Sequence, residues 1–146
     1  MAKDQGCQDV GVRRAGPQDV DDILAVVNAN TDRLLARDRD EIVSLLDTFW
    51  VAEDGGRIVG CSCLEVYSPK IAELRSLAVL PEYRGRGYGA ALTAAAVEEA
   101  ERRGIPQVLV VTSNKEFFER LNFGPCLNEK YALFWLNPDA PAGVKP

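Results

Sequence analysis

The sequence predicts a mixed α/β fold, and three observations carry that prediction. Helix-period and strand-period segments alternate along its 146 residues. "FWVAEDGGRIVGCSCLEVY" sets two apolar, β-branched-rich runs on either side of Asp54-Gly55-Gly56, whose glycines permit the positive φ values of a tight turn, so the runs are antiparallel neighbours. "QVLVV" is continuously apolar, the pattern of a strand buried on both faces.

The elements follow in order. Val10–Arg14 is a short strand, β1. In "GPQDVDDILAVVNAN", α1, Pro17 stands in the first turn and Asp19, Asp21 and Asp22 lie near the N-terminus, where the helix dipole favours acids. Val20, Ile23, Leu24 and Val27 recur at helical spacing. After the arginine-bearing, less regular "TDRLLARD", Arg39–Leu46 is α2, with the stripe Ile42, Leu45 and Leu46. The hairpin runs Phe49–Glu53 and Arg57–Tyr67 are β2 and β3, and after Ser68-Pro69-Lys70 the stretch "IAELRSLAVL" (71–80) is β4. Its apolar positions change parity, Ala72 and Leu74 even, then Leu77 and Val79 odd, which a plain strand cannot keep on one face; a β-bulge near Arg75–Ser76 resolves it. The alanine-rich Gly87–Arg103 is α3, stopped by Gly104 and Pro106, with the stripe Tyr88, Leu92, Ala95 and Ala96. Gln107–Val111 is β5, Glu116–Phe123 is α4 and "KYALFWL" (130–136) a last strand, β6.

Composition bounds the function. With 47% hydrophobic and 27% charged residues the chain suits one domain, expected over 10–137, with a flexible N-terminus at 1–9 and a loose Pro/Gly-rich tail at 138–146. A balance of 17 Lys+Arg against 22 Asp+Glu, net −5 with no basic block, argues against nucleic-acid or anionic-membrane partners. No apolar run approaches the roughly 18 residues of a membrane span, and Met1–Val10 has no signal-peptide hydrophobic stretch, so a cytoplasmic chain is expected. Cys7, Cys61, Cys63 and Cys126 read as reduced thiols, and with no histidine in the sequence no metal site is expected.

Between β4 and α3 lies "LPEYRGRGYGAAL". Glycines at 85, 87 and 89 fall where a helix start leaves backbone N–H groups without partners, and they remove the Cβ atoms that would hold a phosphate away. Arg84 and Arg86 add charged donors at the rim, which makes a pyrophosphate the natural guest. A tight turn that simply needs glycine is the competing reading.

The pattern R-x-x-G-x-G at Arg84, Gly87 and Gly89, after "LAVLPEY" and before an alanine-rich helix, resembles the acetyl-CoA signature of the GNAT superfamily of N-acetyltransferases. The element order is similar to that family's β1-α1-α2-β2-β3-β4-α3-β5-α4-β6-β7, a mixed, mostly antiparallel sheet with flanking helices, and "FFERLNF" resembles its recurrent "FYEKLGF". Within the superfamily, "RIVGCSCLEVYSPKIAELRSLAVLPEYRGRGYG" most resembles the acetyltransferase domain of N-acetylglutamate synthases, in the short forms without an amino-acid-kinase domain.

The resemblance implies that β4 and β5 splay apart beyond the bulge. Free backbone groups of Leu77, Ala78 and Val79 then hold the pantetheine, Leu77 also polarising the thioester oxygen. Arg84, Gly85, Arg86, Gly87, Tyr88, Gly89, Ala90 and Asn114 complete the acetyl-CoA site. The expected partner is a small-molecule amine, glutamate or another acidic amino acid among the candidates, with polyamines or protein amines as alternatives; where the chain associates, a homodimer is expected. A non-catalytic acetyl-CoA sensor is the rival reading.

Glu73, on β4 just before the bulge, is the candidate base in a chain without histidine; a surface carboxylate in an ion pair is the other reading. Arg37 and Arg75, with Ser113, are candidates for the acceptor, because guanidinium forks suit carboxylates; for these and for Arg39 a solvated surface arginine stands as the alternative. Two departures from the family are plain. Phe118 stands where a proton-donating tyrosine is usual, leaving water, Ser113 or Tyr131, and "TSNK" follows β5 where the synthases carry an arginine.

Overall fold

A computed structural model describes residues 11–32, 34, 36–125 and 132–139. The chain forms two compact units, Met1–Val110 and Val111–Pro146.

The first unit is built on a five-stranded sheet in the order β1-β2-β3-β4-β5, with β1 at Gly11–Arg14, β2 at Phe49–Asp54, β3 at Arg57–Ser68, β4 at Ile71–Val79 and β5 at Gln107–Leu109. β1 to β4 are antiparallel and β5 joins β4 in parallel, so the mixed, mostly antiparallel sheet expected from the sequence is present. The β2–β3 turn has Gly55 at φ 59° and Gly56 at φ 82°, the two left-handed residues of a type I′ hairpin.

Three helices complete the unit: α1 (Val20–Asn28), α2 (Arg39–Ser44) and α3 (Tyr88–Arg102). α2 starts with a reciprocal capping box, in which Asp38 accepts from the Glu41 N–H at 2.9 Å and Glu41 accepts from the Asp38 N–H at 2.9 Å. It is shorter than its apolar stripe predicts, because Leu46–Thr48 tighten into a 3-10 turn. α3 ends as the sequence indicates, with Gly104 at φ 68° and the Ile105 N–H closing back on the Ala100 carbonyl. Tyr88, Leu92 and Ala96 are buried, while Ala95 is only half-buried.

α3 lies against the even-numbered face of β3. The Ser62 hydroxyl donates to the Leu92 carbonyl at 3.1 Å, and a Cβ on Gly60 would come within 3.0 Å of both the Ala78 carbonyl oxygen and Leu92 Cδ1, so the close approach of strand and helix requires glycine there. Ile23, Val26, Val27, Ile42, Phe49, Val51, Val59, Leu64 and Leu92 make up the core.

The parity change in β4 is resolved as the sequence predicts. Cys61 pairs with Ala78 but Cys63 with Arg75, so β4 carries one extra residue, and Ser76 takes φ 54°. β5 departs from its expectation: three residues long, it is an edge strand among the described residues, with Leu109 exposed and Val108 half-buried. A continuous apolar run signals double burial only when helices cover both sides.

In the second unit α4 spans Lys115–Glu119, capped by Asn114, whose Oδ1 accepts the Phe117 N–H at 3.3 Å. Of the expected last strand, Lys130 and Tyr131 lie outside the described residues, and Ala132–Asn137 form no strand; Leu133 and Trp135 are 89% and 80% exposed. β-propensity reflects fit to a paired, half-buried surface, and this segment has no pairing neighbour among the described residues. Cys7 and Cys126, the N-terminal 1–9 and most of the tail also lie outside them.

Candidate active site

The sheet opens beside β4. β5 pairs with Ile71, Ala72 and Glu73 only, so from Leu74 onward β4 has a strand neighbour on one side alone among the described residues. The Leu80 N–H donates to the Val59 carbonyl at 2.8 Å, and antiparallel alternation therefore turns the backbone groups of Ala78 toward β3 and those of Leu77 and Val79 toward the open edge. Arg84 Nε donates to the Val79 carbonyl from that side at 3.4 Å. The extended edge expected at 77–79 is thus offered by Leu77 and Val79, with Ala78 engaged in the sheet.

The edge leads into the start of α3. Gly85 and Gly87 hold φ values of 79° and 91°, conformations L-residues rarely adopt, and a Cβ on either would meet nothing within 4 Å. Their surroundings are open space, as an anion cradle requires. Gly87 is the N-cap, with no side chain capping the helix; the N–H groups of Tyr88, Gly89 and Ala90 precede the first intrahelical bond, made by Ala91.

The two arginines of the loop diverge. Arg84 reaches Oδ1 of buried Asn30 behind α1. Arg86 goes the other way, its guanidinium 4.9 Å from the Tyr83 ring centre and 3.9 Å from Asp54. The Tyr88 hydroxyl donates to Asp54 at 2.6 Å, and this bond, with burial, raises the phenol above its usual range.

Around the last β4–β5 pair a polar cluster gathers. Glu73 stands opposite Glu65 in register, and the Tyr67 hydroxyl donates to Glu73 Oε1 at 2.5 Å. Burial first, and then that bond, push the Tyr67 phenol up to about 12. Arg37, its side chain 8% exposed, donates to Ser76 Oγ at 2.6 Å and to Glu65 Oε1 at 2.9 Å; Arg75 approaches the same Glu65 oxygen at 3.5 Å. The structure therefore brings Glu73, Arg37 and Arg75 together. Arg39 is elsewhere, exposed and paired with Asp21.

Several members of this cluster lacked a sequence signal strong enough to single them out: Glu65, Tyr67 and Ser76, with Asp54 and Asn30 at the cofactor end. The register across Ser68-Pro69-Lys70, which sets Glu65 against Glu73, was the available clue. Cys61 and Cys63 are buried free thiols, and burial pushes both up to about 12, which leaves them protonated and unreactive. No group of three or more His, Cys, Asp or Glu suited to a metal ion occurs among the described residues, and no described helix is long and apolar enough to cross a membrane.

Ser113 and Asn114 belong to the second unit, where Asn114 is engaged as the α4 N-cap. Phe118 there is buried, edge-on to Phe117 at 4.9 Å and to Phe123 at 5.4 Å. It serves as packing where the family places a phenol.

Comparison with known proteins matches residues 46–125 to the acetyltransferase (GNAT) domain. An amino-acid acetyltransferase of Mycobacterium tuberculosis is 34% identical over 116 residues, covering 77% of this chain and 67% of that protein. The crystal structure of Rv2747 from Mycobacterium tuberculosis in complex with CoA and NLQ superimposes with a TM-score of 0.74 at 33% identity, over 77% of this chain and 70% of the other. N-acetylglutamate synthase from Neisseria gonorrhoeae, complexed with coenzyme A and N-acetyl-glutamate, gives 0.73 at 27% identity, over 82% of this chain but only 28% of that one. An uncapped helix start behind two left-handed glycines, an opened β4 edge and these likenesses lead to one assignment: the chain belongs to the GNAT family of acetyl-CoA-dependent N-acetyltransferases.

Proposed function

We propose that the chain acetylates the α-amine of a free amino acid, with glutamate or another acidic amino acid as the preferred acceptor. One observation carries the reading: where β4 and β5 part, a carboxylate, Glu73, and two guanidiniums, Arg37 and Arg75, share one cluster beside the free backbone of Leu77. The amino-acid acetyltransferase relative and the N-acetylglutamate synthase neighbour support it.

Acetyl-CoA supplies the acetyl thioester. Leu77 and Val79 at the open edge, and the N–H groups following Gly87, would hold it, the Leu77 N–H being the donor for developing negative charge. Glu73, one oxygen engaged by Tyr67, keeps the other to take the ammonium proton, directly or through water, since only the neutral amine attacks. Arg75, more exposed than Arg37, presents its fork to the acceptor's carboxylate. Phe118 carries no proton to give the leaving thiolate.

A second acceptor class is favoured by Glu65, which already engages both guanidiniums: an amino acid with an uncharged side chain, needing one carboxylate contact. A panel of glutamate, aspartate, glutamine, alanine and putrescine with acetyl-CoA, following free thiol, decides. Higher kcat/KM for glutamate or aspartate supports the acidic acceptor, equal or higher values for glutamine or alanine support the second reading, and a preference for putrescine overturns both.

A further inference from the structure

The loop after β4 has a second basic wall that the R-x-x-G-x-G pattern does not contain. β3 is antiparallel to β4, so its first residue, Arg57, at the β2–β3 turn, stands at the same end of the sheet as the start of α3. The Arg57 guanidinium lies 5.6 Å from the Tyr83 ring centre and that of Arg86 4.9 Å, so one tyrosine carries both. Their carboxylate partners are loose: Arg57 to Glu82 at 3.6 Å and Arg86 to Asp54 at 3.9 Å, both beyond hydrogen-bond length. Asp54 is already engaged by the Tyr88 hydroxyl. Arg84, which the sequence places beside Arg86, is committed to Asn30 and the Val79 carbonyl on the opposite flank.

We infer that Arg57 and Arg86, stacked on Tyr83, form the subsite for the 3′-phosphate of coenzyme A. This rests on the glycine loop being the pyrophosphate cradle. The cofactor carries two anionic groups: a pyrophosphate, which backbone N–H groups at a helix start satisfy, and a separate phosphomonoester near the dianionic state. That second group calls for guanidinium forks, and the ring holds two of them, Arg86 spending one N–H on the Glu82 carbonyl at 3.2 Å and neither fork closed on a carboxylate. Arg57 thus becomes a determinant of cofactor choice from outside the signature.

Calorimetric titration with CoA and with 3′-dephospho-CoA tests the assignment without turnover. Wild type is expected to bind CoA about tenfold tighter than the dephospho form, the ratio falling with added salt because both arginines are exposed. Arg57→Ala, or Arg57→Gln should the alanine variant prove unstable, should weaken CoA and leave 3′-dephospho-CoA unchanged, bringing the ratio close to one. Equal weakening of both would move Arg57 to the pyrophosphate, and no discrimination by wild type would remove the subsite; either overturns the proposal. If wild type binds neither molecule, the glycine-loop reading itself fails, an outcome distinct from both.

Discussion

The two ends of the site are made of different material. Where β4 runs into α3, the groups proposed to hold the pyrophosphate are backbone ones, set by Gly85 and Gly87 within a single stretch of chain. Around Glu73 they are side chains from three separated segments: Arg37 ahead of α2, Glu65 and Tyr67 on β3, and Glu73, Arg75 and Ser76 on β4. A backbone cradle depends on conformation and tolerates exchange of the surrounding side chains. A side-chain cluster depends on identities, and the loss of one member leaves charges without partners.

The largest expected effect breaks the first half of that comparison. Gly87→Val places a β-branched residue at φ 91° and a side chain in the cradle. The strain alone costs on the order of 1–2 kcal/mol. CoA is expected to raise the melting temperature of wild type through linkage and should no longer do so for the variant. A variant that still binds CoA like wild type would show that backbone conformation at this position does not govern the site.

Next is the second half. Glu73→Gln should lower kcat by roughly 10²-fold, if the carboxylate takes the ammonium proton, with CoA affinity unchanged. Unaltered kcat in steady-state assays would return Glu73 to a surface carboxylate held by Tyr67. Arg37 and Arg75 sharpen the contrast within the cluster. Arg37→Ala leaves buried Ser76 without its donor and half-buried Glu65 with only Arg75 at 3.5 Å, and should lower stability by about 3 kcal/mol in denaturant unfolding. Arg75→Ala should leave stability nearly intact and cost about 2 kcal/mol in kcat/KM for an acidic acceptor. Reversed results would exchange the staple and the contact.

This difference in material also explains what could be read from the residues alone. The glycine loop, the hairpin at Gly55-Gly56, the bulge near Ser76 and both ends of α3 are local, each set by φ demands or parity within a few residues, and all stand where the sequence puts them. Glu73 and the two arginines were recognisable as candidates by charge and position. Their joining through Glu65 was not, because it depends on a register shift and on where the segment before α2 settles. Arg57 was invisible for the same reason, being brought beside Arg86 only by pairing across the sheet. β5 misled in the other direction, since apolar residues alone do not say whether a strand has a neighbour on each side.

The smallest effect on CoA binding and turnover belongs to a third charge cluster, which should affect neither end of the site. Buried Glu99 on α3 accepts from Arg103 at 2.7 Å, Arg102 at 2.6 Å and Arg14 of β1 at 2.7 Å, tying the first strand to the helix. The bonds from Arg103 and Arg102, then that from Arg14, outweigh burial and hold its carboxyl down at about 2 against a usual 4.5. A carboxyl lowered by folding contributes stability that is complete above the unfolded value and disappears as pH falls through the folded one. The contribution, on the order of 2 kcal/mol, is therefore present at neutral pH and lost between about pH 4.5 and 2. Glu99→Gln keeps the shape and some of the hydrogen bonding while removing the titration, so its melting temperature should fall less steeply than that of wild type across that window. CoA affinity and kcat at neutral pH should not move. If wild type and variant lose stability in parallel on acidification, the three arginines are not what holds Glu99 ionised; if kcat changes, α3 transmits strain from its far end to the cradle at Gly87, and the two regions compared above are not independent.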